Sequence, residues 1–201
     1  MLIQDILEHN ARAHPSRVAL VSATEEVTYR DLRDRVGGYA AVLRSGGIGK
    51  GDRVAILAQN SILYLEALFA VTRAGAALVP LNHLLIGREL VAILKDADVK
   101  ALLFTEEFRD RVGEIRPSLP GIGCFVRIDD PELPKRGGDD APDPSPPVLE
   151  TDIALVIYDG GISSRARGAM LSHRNLLAAS ASSALELSLS RNVRSMAVMI
   201  L

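Results

Sequence analysis

The sequence contains no tryptophan, a single cysteine and only 4% aromatic residues. So few aromatics argue against a base-stacking surface for single-stranded nucleic acid. The lone thiol, Cys124, can form neither an internal disulfide nor a cysteine-based metal cluster. Within Gly123-Cys124-Phe125-Val126 it reads as a buried, inert strand residue. An excess of one charge is missing too: 23 Lys and Arg against 25 Asp and Glu leave a net charge of −2. No global field therefore draws the chain to nucleic acid or to an anionic membrane. No apolar run approaches the ~18 residues that a membrane-spanning helix needs. The opening residues Met1 to His9 carry acids where a secretory signal would carry Lys or Arg, so a cytoplasmic location is expected. The four histidines, His9, His14, His83 and His173, have no carboxylate or cysteine at metal-ligand spacing. They are expected at surface, loop or cap positions, and no metal site is predicted.

What is present suits a globular domain. With 201 residues, 48% of them hydrophobic, there is enough apolar surface for a sizeable core. Residues 2–13 have helical spacing, and Val18-Ala19-Leu20-Val21 with Glu26-Val27-Thr28 read as a hairpin. Thr28 opens a helix with Leu32, Val36, Ala40 and Leu43 inward, closed by Gly46-Gly47. Arg53 to Ala58 is a strand apolar enough to be covered on both faces. Asn60 or Ser61 then caps a helix with core positions Leu65, Leu68, Phe69 and Thr72, ending at Gly75. Strands at 76–80, 100–104 and 123–128 alternate with helices at 87–97 and 105–115, the second capped by Thr105. This rhythm predicts an α/β fold with a largely parallel sheet flanked by helices and right-handed crossovers.

Six of the ten prolines fall between residues 129 and 150, among aspartates and Gly137-Gly138. An exposed, extended connection is expected there. It divides the chain into an α/β region at 1–128, the loop at 129–150 and a strand–loop–helix–strand segment at 151–201. In the last of these, Ser172 caps a helix with Leu176, Leu177, Ala184 and Leu187 on one side. Met196 to Leu201 reads as an apolar strand whose edge could pair with another chain.

The third segment carries the chemistry. After the apolar strand Ile153 to Ile157 comes Tyr158-Asp159-Gly160-Gly161-Ile162-Ser163-Ser164-Arg165-Ala166-Arg167-Gly168. Glycines let backbone amides turn toward an anion, hydroxyls donate to its oxygens and guanidiniums offset its charge, so the stretch can hold phosphate. It is not the GxxxxGK[ST] pattern of a P-loop. A plain turn is the competing reading, since Gly/Ser-rich stretches after strands are common.

The stretch, with its continuation Ala169-Met170-Leu171-Ser172-His173-Arg174-Asn175-Leu176, resembles the signature loop of the adenylate-forming (AMP-binding) superfamily, Tyr-Thr-Ser-Gly-Thr-Thr-Gly-x-Pro-Lys-Gly. The Thr28-Tyr29-Arg30-Asp31-Leu32 helix entry, the run Gly47 to Leu57 and the segment Asn60 to Leu85 are likewise similar to fatty-acyl-CoA ligases. The similarity thus extends over most of the chain and corresponds to the N-terminal portion of such ligases. Tyr158, Gly161 and Gly168 match the loop pattern, Ser163 stands for Thr and Arg167 for Lys. Asp159, Gly160, Ile162, Ser164 and Ala166 depart from it. Two hydroxyl donors are lost and a carboxylate lies where triphosphate would approach. Two like charges at about 4 Å repel by on the order of 4 kcal/mol at an effective dielectric near 20, so a weakened ATP loop is expected.

The resemblance implies ATP with Mg2+, CoA and a fatty acid or other carboxylate as ligands. It implies Gly160, Gly161, Ser163, Ser164, Arg167 and Gly168 as the nucleotide-binding residues, with no catalytic residue assigned. The later family motifs for adenine and ribose, and the C-terminal domain with its catalytic lysine, do not occur in this sequence. The chain is therefore read as a truncated acyl-CoA synthetase-like protein that does not complete catalysis alone. Two alternatives stay open: an interaction module that oligomerises through its C-terminal strand, and a half-enzyme completed in trans.

Overall fold

The computed structural model describes residues 1–133, 147–159, 167–190, 193 and 195. Its elements in chain order are α1 (Ile3–Ala13), β1 (Val18–Val21), β2 (Glu26–Thr28), α2 (Tyr29–Ser45), β3 (Arg53–Leu57), α3 (Ile62–Arg73), β4 (Ala77–Pro80) and α4 (Gly87–Asp96). There follow β5 (Ala101–Phe104), α5 (Arg109–Ile115), β6 (Cys124–Arg127), β7 (Ile153–Tyr158), β8 (Gly168–Ser172) and α6 (His173–Glu186). β1 and β2 form a small antiparallel hairpin, and the other strands form one sheet in the order β6-β5-β3-β4-β7-β8. Every pairing in that sheet is parallel except β7 with β8. The α/β fold with a mostly parallel sheet is thus as the strand–helix rhythm predicts.

Local chemistry sets the helix ends. The Thr28 and Ser61 hydroxyls accept from the amides of Asp31 and Tyr64, each at 3.2 Å, and start α2 and α3. Gly47 and Gly75 follow α2 and α3 with φ of +83° and +87°, a conformation that favours glycine. Thr105 makes no such cap. A single 3-10 turn (Glu106–Phe108) precedes α5, and the Asp129 carboxylate takes the Glu106 amide at 2.9 Å instead.

The strands alternate between two cores. Val54 and Ile56 of β3, Leu78 of β4 and Leu103 of β5 face α1, α2 and α3. Ala55, Leu57, Val79 and Leu102 face α4 and α5. The β3-to-β4 connection runs one way across the sheet through α3. The β4-to-β5 connection returns past β3 through α4 on the other face. Right-handed crossovers in opposite directions require opposite faces.

Helix α3 corrects the expected inward face. Leu65, Leu68 and Phe69 are only half-buried, while Ile62, Tyr64, Glu66, Ala67, Ala70 and Val71 join Thr72 in the interior. The helix is wedged between the sheet and α2, so its buried arc is wide, and Ala67 and Ala70 allow close approach. Glu66 is fully buried because Arg35 Nη1 of α2 donates to its Oε1 at 3.2 Å. Arg35 also holds Glu25 Oε1 at 2.5 Å.

Cys124 is half-buried rather than buried, since β6 is an outer strand. Its sulfur packs near Gly46, and burial raises its pKa. Of the Pro/Gly/Asp-rich connection, residues 134–146 lie outside the described residues, as does the apolar strand at Met196 to Leu201. No helix among the described residues is long and apolar enough to cross a membrane.

Candidate functional site

β7 is parallel to β4, with Leu78 opposite Leu155, so Tyr158 ends its strand on the same side as Pro80 ends β4. That is the carboxyl edge of the sheet, where open α/β folds bind ligands. The predicted loop leaves there and returns as β8. Gly160, Gly161, Ser163 and Ser164 lie outside the described residues. Arg167 and Gly168 are described, and with Tyr158 and Asp159 they form the neck of the loop.

The neck is a narrow hairpin base. The Asp159 amide donates to the Arg167 carbonyl at 3.3 Å. In return the Arg167 amide donates to the Asp159 side chain, Oδ1 at 3.2 Å. One step inward, Tyr158 is opposite Gly168. A Cβ on Gly168 would lie 3.0 Å from both Tyr158 Cζ and Val156 Cγ1, so the ring covers the space that a side chain would need. Gly168 therefore has a packing reason to be glycine. The Tyr158 hydroxyl donates to Asp96 Oδ2 at 2.5 Å, which ties β7 to the last turn of α4. Burial and the Asp96 carboxylate both raise the pKa of this phenol. Arg167 and Asp159 are exposed. A cation and a carboxylate thus meet whatever approaches the neck. Nothing in the sequence pointed to Asp96, because the contact spans 62 positions and depends on how α4 crosses the sheet.

After the neck, β8 runs into α6, which Ser172 opens by accepting from the Asn175 amide at 3.2 Å. Asn175 Oδ1 reciprocates on the Ser172 amide at 3.1 Å. Two histidines depart from the expected surface placement. His173 is 1% exposed, and its Nδ1 accepts from the Ile3 amide at 3.2 Å, which joins α6 to the start of α1. Burial lowers its pKa, against the opposing pull of Asp152 and Asp5. A sequence read only for caps misses this because the contact comes from 170 positions away. His83, beyond the end of β4, is half-buried beside Phe108, with ring centroids 6.2 Å apart. Its Nδ1 is buried and has no hydrogen-bond partner among the described residues. His9 is exposed and His14 half-buried. The described residues contain no group of three or more His, Cys, Asp or Glu able to hold a metal ion. An apolar cavity of about 10 Å³ beside Tyr39 and Ala70 is barely water-sized and lies within the first core.

Comparison with known proteins gives this geometry a family. The chain is 39% identical over 166 residues to a feruloyl-CoA synthase of Amycolatopsis sp, a match covering 83% of this chain and 32% of the relative. It is 31% identical over 207 residues to the long-chain-fatty-acid–CoA ligase of Salmonella typhimurium, covering 87% and 37%. The chain thus spans about a third of the length of the curated relatives it matches. Among solved structures, a Mycobacterium tuberculosis fatty acyl CoA synthetase superposes with a TM-score of 0.84 at 25% identity, over 96% of this chain and 38% of that one. The N-terminal domain of FACL13 from the same organism gives 0.84 at 25% identity, over 96% and 48%. The family described as AMP-binding enzyme matches residues 7–200, nearly the whole sequence, and the chain belongs to it.

Proposed function

We propose that the chain supplies the phosphate-gripping strand–loop–strand of an AMP-dependent acid–CoA ligase and does not complete the reaction alone. In that reaction a carboxylate attacks the α-phosphate of ATP, and CoA then captures the acyl-adenylate. The chemistry needs cations on developing phosphate charge and an adenine pocket. Arg167 would supply the cation, and Gly160, Gly161, Ser163, Ser164 and Gly168 the close backbone and hydroxyl approach, with Mg2+ accompanying the nucleotide. The observation that carries the reading is the neck at the carboxyl edge of the parallel strands, in a chain of this family. The named relatives support a fatty acid or aromatic carboxylate as the acyl substrate. We keep the three-part organisation of 1–128, 129–150 and 151–201, and a cytoplasmic location, within the same proposal.

The neck residues fit an anionic ligand in part. The Arg167 side chain is exposed, but Asp159 already occupies the Arg167 amide and adds negative charge. Affinity for ATP–Mg2+ is therefore expected to be weak and to rise in Asp159→Thr. Calorimetric titration of the full chain tests this. Arg167→Ala should lower affinity about tenfold, the size of one charge-assisted contact. No binding in wild type and in Asp159→Thr alike removes phosphate recognition as an activity of this chain.

A second reading has its own observation. Leu185, Leu187 and Leu189 on and after α6 are 81%, 67% and 47% exposed, which suits association with a further polypeptide, a second copy or a completing half. Sedimentation at rising concentration tests it: a strict monomer with no added partner bound sinks the association reading.

A further inference from the structure

The hydroxyl of Tyr158 has a role that a simple hairpin would not need. Because the Asp159 amide bonds to the Arg167 carbonyl, the adjacent pair Tyr158 and Gly168 is of the non-hydrogen-bonded kind, where side chains come closest. A phenylalanine would cover Gly168 as well as tyrosine does. The hydroxyl instead reaches Asp96 Oδ2 at 2.5 Å and fixes where the ring sits. With the ring held, the next pair outward keeps its spacing, Asp159 against Arg167. There the Arg167 amide is bonded to a side chain rather than to the main-chain ladder. A side-chain carboxylate can rotate away and free the amide for another acceptor. A main-chain partner could not.

We propose that Asp96 and Tyr158 are a positioning pair that holds the neck of the loop and so sets how well the Arg167 amide and guanidinium meet an anionic ligand. The second half of this statement rests on the phosphate-gripping function proposed above; the first half stands on the hairpin geometry alone. Neither residue touches the ligand. The pair acts through the ring over Gly168 and through the separation of Asp159 from Arg167.

Amide hydrogen exchange at Asp159 and Arg167 in the full chain, read together with ATP–Mg2+ calorimetry, tests both halves. Tyr158→Phe and Asp96→Ala should each speed exchange at these two amides about fivefold, the worth of one ordinary hydrogen bond, and the double variant no further. Asp96→Asn keeps an acceptor for the phenol and should restore most of the protection. ATP–Mg2+ affinity should fall in the same order of variants. Alkaline absorbance titration adds a second readout: in Asp96→Ala one of the four tyrosines should ionise at lower pH than in wild type, through loss of the carboxylate and of ring burial together, while rescue of exchange by Asp96→Asn separates the pair from general loosening. Unchanged exchange in both Tyr158→Phe and Asp96→Ala overturns the pair, even where ATP–Mg2+ binds. Exchange that responds while affinity stays equal across the variants overturns its influence on the ligand. A wild type that binds no ATP–Mg2+ while exchange responds removes the phosphate reading and leaves the pair in place.

Discussion

β3 and β8 belong to one sheet and are built differently. Four of the five residues of β3 are buried, whereas the first three residues of β8 are exposed. The helices beside them repeat the contrast: α4 buries Leu90, Ile93 and Leu94, while in α6 only His173 is buried. Residues 3–127 are closed on both faces by α1, α2, α3, α4 and α5. β7 shares that interior through Ala154 and Val156, but β8 and α6 beyond it are held at a few points, among them His173 on Ile3 and the Tyr158 hydroxyl on Asp96 at their base. One part makes the fold and the other presents residues from it. Stability and ligand affinity should therefore respond to different substitutions, and each experiment below is a way to make that division fail or become sharper.

The largest effect is expected in the closed part. Arg35→Ala leaves Glu66 buried without its partner, which costs about 3 kcal/mol and lowers Tm by about 6–12 °C in a chain of this size. Burial raises the Glu66 pKa while Arg35 pulls it down. A carboxyl whose folded pKa lies above its unfolded value favours the fold most below the unfolded value. That contribution is lost as pH rises through the folded one. The Arg35→Ala deficit should therefore be smaller at pH 5 than at pH 8 in urea denaturation. Glu66→Gln, which removes the buried charge but keeps the shape, should cost little at pH 7. Equal losses in the two variants would show that packing rather than charge governs the α2–α3 contact.

Glu66 also shows where the sequence stops being informative. A charged residue inside an apolar helix reads as the solvent side, and the pattern accordingly placed Leu65, Leu68 and Phe69 inward. Only the approach of α2, 31 residues earlier in the chain, makes Glu66 an interior position. The regular parts were legible because their causes are local. Thr28, Ser61 and Ser172 cap helices through amides three residues on, and the strands alternate or run apolar according to their two covers. The place of the neck was legible too, because the apolar run at 153–157 lies within β7. Its supports, Asp96 beneath Tyr158 and Ile3 on His173, were not, because each joins segments distant in sequence.

A smaller effect belongs to the seam between the two parts. Nδ1 of His173 accepts the Ile3 amide, so the imidazole must be neutral at that nitrogen. Burial depresses its pKa in the fold, with Asp152 and Asp5 facing it and the N-terminal ammonium opposing them. A histidine with a depressed folded pKa contributes stability that is present above its unfolded value, near 6.5, and is lost as pH falls through the folded one. Lowering the pH from 7 to 5 should therefore weaken the fold. His173→Gln should flatten that slope, measured by thermal unfolding across the range. The same slope in His173→Gln would move the pH dependence to other groups and cut the proposed seam between α1 and α6.

The smallest effect is expected on the outer side of α6, and it bears most directly on the comparison. Leu185 and Leu187 are 81% and 67% exposed, so Leu185→Gln and Leu187→Gln remove almost no buried surface. Each should change stability by no more than about 0.5 kcal/mol. Leu94→Ala on α4, where the side chain is 1% exposed, should cost about 2–5 kcal/mol by opening a cavity. Denaturant midpoints of the three variants give the ratio. A loss above about 1 kcal/mol in either α6 variant would mean that these leucines are covered in solution. A second copy would then reveal itself by concentration dependence of the midpoint, because association stabilises by mass action. Concentration-independent losses would instead place the cover within the chain, and the presenting part would then belong to the closed one.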